Sequence, residues 1–493
     1  MRKRNKFSLS FYKLFTCKMG YLLPMGLIEV LPGDTIRHAT GLFMRLAPML
    51  APVMHPCHVT IHTWYVPHRL VWDEFEQFIT GGEDGLNTSV LPTITAPSGG
   101  FPVGSLADYL GVVPGVEGLE ISALPFRAYA MIYNEWYRDQ DLEEAVPFST
   151  DSGPDTTTST KLLRGDWERD YFNTARPWPQ KGLAVSVPVQ GSTDNRIVSD
   201  GTTTTFSFPG STSATGTYPL AQYSDWGLFA KGTPPGSTDA SPEARFANSG
   251  LRVEGSSGVV DINQLREAFA LQRFEEHRAM YGSRYVEYLR YLGIKASDAR
   301  LQRPEYLGGG RQTIQFSEVL QTAEGTDPVG TLRGHGIASM RSNRYRRFIE
   351  EHGYIISFLL VRPKSIYMQG LDRTWLRRVK EDFWQKELEH IGQQEVYTQE
   401  LYAAADSGTV FGYQNRYDDY RQHWSSVSGE FRDILDYWHM ARSFSNGPVL
   451  NADFISSVPT ERIFAAQQND QLYCFAQHSV QARRLMAKFG NPI

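Results

Sequence analysis

Residues 54–70, MHPCHVTIHTWYVPHRL, hold four histidines and one cysteine, which are side chains that commonly bind transition metals. The β-branched and aromatic run from His58 to Val66 is bracketed by prolines and predicts a strand. His58 and His62 would then share a face but lie roughly 13 Å apart, at about 3.3 Å per residue. Because imidazole nitrogens bind zinc at about 2.0–2.1 Å, this spacing disfavours a shared ion. We expect histidines packed on a strand face and no metal site.

Other motifs with chemical potential are incomplete. The glycines at 308–310 lack the G-K-[ST] ending of a phosphate-binding loop and precede a strand-like segment, so we interpret them as a backbone turn. The carboxylate pairs Asp418 with Asp419 and Glu143 with Glu144 have no companion that would identify an acid and a base. Neither G-x-S-x-G nor H-E-x-x-H occurs. We expect no catalytic residues, no enzymatic activity and no cofactor.

Positive charge is concentrated in two short clusters, although the chain as a whole carries a formal net charge of −5. Any nucleic-acid contact would therefore be local, and on composition alone a solvated surface is the commoner role of such clusters. The clusters are Arg2, Lys3, Arg4 and Lys6 at the start of the chain, and Arg341, Arg344, Arg346 and Arg347 in RSNRYRRF. These eight side chains are the candidate nucleic-acid contacts.

Length and cysteine usage limit the class of protein. With 493 residues, of which 41% are hydrophobic, the chain can bury a large core. Its three cysteines, Cys17, Cys57 and Cys474, are scattered, which fits a reducing compartment and argues against a disulfide framework. The basic start is interrupted by Lys13 and Lys18 where a signal peptide would be apolar. We expect neither secretion nor membrane insertion.

Strand-like runs alternate with turn signals from Phe7 to Val66, which is typical of a β-sandwich or barrel. A later buried strand is predicted at YIISFLLVRP, residues 354–363. Helices are predicted where apolar residues recur every three or four positions, at residues 71–79, 124–139, 261–281 and, after a break at Gly282, 285–292. The chain therefore has a mainly β framework with large helical and loop insertions.

Residues 191–250 differ in composition from the rest, because Ser, Thr, Gly and Pro dominate and apolar anchors are few. A stretch of this length inside a compact domain is usually a functional surface loop or a linker. We predict an insertion exposed on one face of a single domain that spans residues 1–493.

Aromatic residues are abundant, with 10 Trp and 25 Tyr. Such side chains fill cores and subunit interfaces, and exposed ones can also stack on sugars or bases. Together with the unpaired carboxylates, they leave open a carbohydrate-binding or carbohydrate-active β-sandwich as an alternative to an assembly protein. A second alternative is a receptor-binding spike component, in which residues 191–250 would carry the function.

Long strings of this sequence, at residues 26–82, 284–310 and 412–444, resemble the major capsid protein of microviruses, the small icosahedral single-stranded DNA phages. The likeness is nearest to the gokushovirus-like branch and runs in order from about Phe7 to the C-terminus. The string DARLQRPEYLGGG, residues 298–310, is its most specific part.

This resemblance implies an eight-stranded antiparallel jelly roll with helical and loop insertions, a viral capsid β-sandwich. It implies pentamers that build a T=1 shell around a circular single-stranded DNA genome, with 191–250 as a protrusion at the threefold axes that could meet a host surface receptor. The partners it implies are a small basic DNA-binding protein and pilot or minor virion proteins. The location is the virion, assembled in the host bacterial cytoplasm. The N-terminal cations become candidates for an arm that faces inward to the genome.

Overall fold

The computed structural model describes residues 4–488, with gaps at 84–85, 184, 186–195, 200–204, 208–219, 223–227, 231–244, 249–250, 255–261, 283, 295–296 and 323–327. The chain divides into two compact units. One consists of Met1–Lys181 with Glu276–Ile493, and the other of Gly182–Glu275. Among the described residues no helix combines the length and the apolar character needed to cross a membrane.

Strands dominate the described part of the chain. In chain order they are β1 (Asn5–Ser8), β2 (Phe11–Cys17), β3 (Leu23–Val30), β4 (Thr35–Leu46), β5 (Cys57–Pro67), β6 (Thr93–Thr95), β7 (Glu120–Ser122), β8 (Arg196–Ser199), β9 (Thr205–Ser207), β10 (Leu220–Gln222), β11 (Leu228–Ala230), β12 (Arg245–Asn248), β13 (Leu251–Glu254), β14 (Glu305–Thr313), β15 (Gln315–Leu320), β16 (Leu332–Arg341), β17 (Tyr345–Phe348), β18 (Gly353–Pro363), β19 (Gln393–Tyr397), β20 (Val410–Asn415) and β21 (Leu472–Arg484). The α-helices are α1 (Phe75–Thr80), α2 (Leu106–Leu110), α3 (Leu124–Trp136), α4 (Ile262–Tyr281), α5 (Tyr285–Tyr291) and α6 (Ala452–Ile455).

The first unit contains two large antiparallel sheets, which we call sheet one and sheet two. Sheet one has the order β1-β21-β4-β16-β15, with β2 also on β21 and β17 also on β4. Sheet two has the order β14-β5-β18-β3. Their facing sides share a core to which sheet one contributes Leu42, Met44 and Ala476 and sheet two contributes Ile61 and Leu359. The mainly β sandwich expected from the sequence is thus present.

Most of the opening histidine stretch forms β5, an interior strand of sheet two, whereas His55 and His68 lie just outside this strand. Val59 and Ile61 face the sandwich core, whereas Trp64 and Val66 face a second core beneath α3. Sheet two is therefore covered on both sides, by sheet one and by the layer that contains α3. This explains why β5 is apolar on both faces, and it confirms the predicted alternation.

The predicted helices around residues 71–79, 124–139, 261–281 and 285–292 are present as α1, α3, α4 and α5. The break at Gly282 is also confirmed, since its φ of +91° is a left-handed conformation that favours glycine. The β6–β7 and β19–β20 pairs are small ribbons outside the two large sheets. In the second unit, β8 pairs with β13, β9 with β12 and β10 with β11, all antiparallel.

The interpretation of residues 308–310 as a turn is wrong. They lie inside β14, which pairs with β5 through a bulge between Tyr306 and Gly308. A Cβ added at Gly309 would lie 2.2 Å from the Ile61 carbonyl oxygen. Glycine is needed here because two backbones approach closely, and not because the chain reverses.

Candidate nucleic-acid interface

One face of sheet one packs on the core and the other is exposed, and β4 shows the alternation most clearly. Its even-numbered residues, such as Leu42 and Met44, are buried. Arg37, Phe43 and Arg45 point the other way and are exposed. Side chains alternate between the two faces of a strand, so Arg37 and Arg45, at odd-numbered positions, lie on the face opposite to Leu42 and Met44.

Neighbouring strands add cations to this open face. The register pairs Arg37 with Arg346 of β17, and Lys6 of β1 with Arg483 of β21. On β16 the outward positions include Arg341, which pairs with Gly41. The full cationic set, which we call the basic face, is Lys6, Arg37, Arg45, Arg333, Arg341, Arg346 and Arg483.

No aspartate or glutamate occupies an outward position on the strands of sheet one, all of which the structure describes. Among the described residues, no carboxylate lies within ion-pair distance of six cations of the basic face: Lys6, Arg37, Arg45, Arg341, Arg346 and Arg483. The adjacent Arg484 behaves differently, because it turns inward and its Nε lies 3.0 Å from an Asp34 carboxylate oxygen. The basic face therefore carries positive charge that its own sheet leaves uncompensated.

Exposed aromatic rings are interleaved with these cations. Tyr12, Phe43, Tyr473 and Phe348 are all outward and solvent-accessible. The Tyr12 and Phe475 ring centroids lie 5.8 Å apart, and the Arg45 guanidinium lies 5.6 Å from the Phe43 centroid. A positive groove or sheet with aromatic platforms is how proteins bind single-stranded nucleic acid without reading its sequence.

The eight cations predicted from the sequence are only partly brought together. Lys6, Arg341 and Arg346 lie on the basic face, and Arg344 is exposed in the short break between β16 and β17. Arg347 points to the other side, where its NH2 lies 3.1 Å from the Glu305 carboxylate.

The N-terminal cluster divides in a similar way. Arg4 donates to the Gly33 carbonyl at 3.1 Å and to Thr35 Oγ1 at 3.0 Å, and its guanidinium lies 5.5 Å from the Phe348 ring centroid. It therefore has a local structural role in addition to its charge. Arg2 and Lys3 lie outside the described residues.

Sequence reasoning missed Arg37, Arg45, Arg333 and Arg483, which are scattered along the chain and form no run. A usable signal exists in β21, where polar residues at every second position from Gln477 to Arg483 alternate mostly with small or apolar ones. β4 lacks this alternation, because Ala39, Gly41 and Phe43 share the positions of its arginines. The strand assignments alone would have put Arg37, Arg45 and Arg483 on exposed faces, but only the register shows that these faces are one surface.

The histidines of the 54–70 stretch have separate partners. His58 Nδ1 lies 2.9 Å from Glu168 Oε1, His62 Nδ1 lies 2.8 Å from the Tyr137 hydroxyl, and His55 Nε2 lies 2.8 Å from a backbone carbonyl oxygen. Burial lowers the pKa of His62 to about 4. Within the described ranges, no group of three or more His, Cys, Asp or Glu side chains is arranged to hold a metal ion.

Comparison with known proteins gives a match along the whole chain. The family model described as "Capsid protein (F protein)" matches residues 1–493. The sequence is 38% identical to capsid protein VP1 of Bdellovibrio phage phiMH2K, over 95% of this chain and 90% of that protein. It is 32% identical to capsid protein VP1 of Chlamydia phage 1, over 99% and 95%, and 31% identical to that of Spiroplasma virus 4, over 92% and 87%.

Proposed function

Because this chain belongs to the phage capsid protein (F protein) family, we propose that its copies assemble through pentamers into a T=1 shell around a circular single-stranded DNA genome. The protein is a structural component of the virion capsid and not an enzyme. The match over all 493 residues carries this conclusion. It favours the capsid function over the carbohydrate-binding β-sandwich and over a separate spike protein.

The framework proposed for this shell protein is an eight-stranded jelly roll. β1 and β2 both pair with β21, and β16 and β17 both pair with β4, so each couple is one interrupted strand. With β15 as an addition at the edge, eight framework strands remain. In chain order these eight strands are β1–β2, β3, β4, β5, β14, β16–β17, β18 and β21. The first pairs with the eighth, the second with the seventh, the third with the sixth and the fourth with the fifth. This nested pairing supports the proposal, since a long antiparallel ribbon folded into two packed sheets produces it.

The basic face is the proposed contact surface for the genome. Sheet two is covered by the layer that contains α3, whereas the outward side of sheet one carries exposed cations and rings. With a net charge of −5 the chain can neutralise few phosphates, so its contacts are confined to this surface. A small basic DNA-binding protein supplies further positive charge in this proposal, and pilot or minor proteins complete the particle.

Residues 191–250, inserted between the framework strands β5 and β14, are the proposed protrusion at the threefold axes. They belong to the compact unit Gly182–Glu275. We propose that this unit is the part of the particle that contacts a host surface receptor.

Electron microscopy combined with analytical sedimentation tests the assembly. The chain is expressed alone and together with a small basic partner from the same phage genome. Pentamers or closed shells of one diameter are the expected result. A stable monomer in both preparations would contradict the proposal, and a melting temperature that rises with added saccharide would then favour the carbohydrate alternative.

A further inference from the structure

A short irregular segment exposes an unusual amount of apolar surface. Within residues 375–384, Trp375, Val379, Phe383 and Trp384 have exposed fractions of 71, 53, 53 and 51%. We call these four side chains the tryptophan patch. The backbone around this segment forms two single 3₁₀ turns, Arg373–Trp375 and Lys380–Asp382. The four side chains are therefore not the outer face of a long helix or a strand.

Two buried arginines connect this segment to the rest of the protein through ion pairs. Arg373 NH1 donates to Glu400 Oε1 at 2.8 Å, and both side chains are almost fully buried. Arg377 NH2 donates to Asp419 Oδ2 at 2.7 Å and its guanidinium lies 5.6 Å from the Phe383 ring centroid. Two shielded ion pairs therefore tie the N-terminal part of this segment to the body of the protein, and the Arg377 guanidinium also contacts Phe383 near its other end.

The backbone of the segment is held as firmly. Asp382 Oδ2 accepts hydrogen bonds from the amides of Arg378 at 2.7 Å and Val379 at 3.0 Å. The Tyr417 hydroxyl donates to the Glu381 carbonyl at 3.0 Å. The apolar side chains are thus presented by a fixed loop, and a surface that is already ordered loses little entropy when it binds.

The size and composition of the patch fit a protein interface. A large aromatic side chain can bury about 150–250 Å². The exposed parts of Trp375, Phe383 and Trp384 therefore offer roughly 350 Å² of surface for binding. A standard interface buries about 800 Å² on each partner, and tryptophan is enriched among the residues that dominate binding. These three rings alone would supply nearly half of one side.

We infer that the tryptophan patch is a contact between copies of this chain in the assembled shell. The inference rests on the proposed assembly, which requires each copy to bury surface against others. A second copy is the occupant because assembly supplies it at a fixed ratio to every patch.

The double variant Trp375→Ser/Trp384→Ser tests this inference. The subunit should fold normally, with a melting temperature within about 2 °C of the wild type, because both side chains are exposed. The yield of closed shells in sedimentation should fall at least about tenfold. The control Val103→Ser/Val113→Ser removes two other exposed apolar side chains and should assemble normally.

A photo-crosslinking amino acid at position 375 identifies the occupant directly. In purified particles, irradiation should yield a product of twice the chain mass, with both linked peptides from this sequence. A link to a different virion protein, or no link, would contradict the inference. Normal shells from the tryptophan variant would contradict it too, whereas failure of the wild-type chain to assemble would contradict the proposed assembly on which it rests.

Discussion

His38 Nε2 lies 3.1 Å from His478 Nδ1 in the interior of the sandwich, between strands whose residues are 440 positions apart. His478 Nε2 lies 3.1 Å from the Met25 carbonyl oxygen, so this nitrogen donates and Nδ1 accepts from His38. His38 Nδ1 is then free to accept from the Tyr345 hydroxyl at 3.0 Å. Two neutral rings satisfy the whole chain of hydrogen bonds, and an added proton would break it.

This arrangement predicts a loss of stability in mild acid. Burial lowers the pKa of His38 to about 3 and that of His478 to about 4. Because both values lie below the ordinary 6.5 or so of unfolded chains, the unfolded state binds more protons below that pH, and stability falls as the pH decreases toward the folded values. Each ring should contribute roughly 2 kcal/mol of destabilisation between pH 7 and pH 5.

Urea unfolding of the dissociated subunit at the two pH values measures this loss. The double variant His38→Gln/His478→Gln should be less stable at pH 7 but should lose less stability on acidification. An unchanged pH dependence would show that other buried histidines, such as His62, account for the effect.

Gly26 lies directly against the His478 ring. A Cβ at this position would lie 2.6 Å from Cε1 and 2.7 Å from Nε2 of the imidazole. Gly26→Ala should therefore destabilise the subunit by about 1–3 kcal/mol, the usual penalty for overpacking a core. Gly41→Ala is the matched control, because the nearest atom to its added Cβ is 3.9 Å away. Equal melting temperatures for the two variants would contradict the predicted clash.

The ion pair between Arg127 and Asp155 lies deep in the layer that covers sheet two. Arg127 Nε donates to Asp155 Oδ2 at 2.7 Å, and at most 1% of either side chain is exposed. Arg127→Met would leave a buried carboxylate without its counter-charge, so we expect a loss of about 3–5 kcal/mol in urea unfolding. Arg69→Met breaks the ion pair with Glu351, in which the two side chains are 30% and 42% exposed, and should cost less than about 1 kcal/mol. Similar losses in both variants would refute the argument from burial.

The parts of the fold that depend on local pattern could be predicted from the sequence. Prolines and β-branched residues identify β5, and apolar spacing identifies α3, because neighbours along the chain decide both. Contacts between distant residues could not be predicted in this way. The glycines at 308–310 have a run typical of a turn, and only the approach of β14 to Ile61 explains them.

The candidate site shows the same division. The cluster around Arg346 is visible as a run of cations, whereas Arg37 and Arg483 are isolated in sequence. They join one surface only through the pairing of β4 with β17 and β21. A scan for charge runs finds part of such a surface and also includes Arg347, which points away from it.

Removal of residues 191–250 should leave the sandwich intact, because they lie within the compact unit Gly182–Glu275. A short Gly-Ser linker in their place should give subunits with nearly unchanged stability and shells that still close in electron microscopy. Adsorption of the particles to host cells should be lost. Failure of the shortened chain to assemble would instead assign the insertion to subunit contacts.

The basic face predicts how the subunit responds to salt. Each phosphate contact with a single strand adds about 0.7 to the slope of log affinity against log salt concentration. Arg37→Gln/Arg45→Gln/Arg483→Gln should therefore reduce the slope by about 2 and weaken binding of oligo-dT, measured by fluorescence anisotropy. The control Lys161→Gln/Arg300→Gln/Lys364→Gln changes the net charge of the chain by the same amount, because it also removes three exposed positive charges, but it leaves the basic face unchanged. If both variants lose affinity equally, overall charge and not this surface determines binding. A loss of affinity in the basic-face variant alone, together with fewer nucleotides in its particles, would assign the genome contact to sheet one.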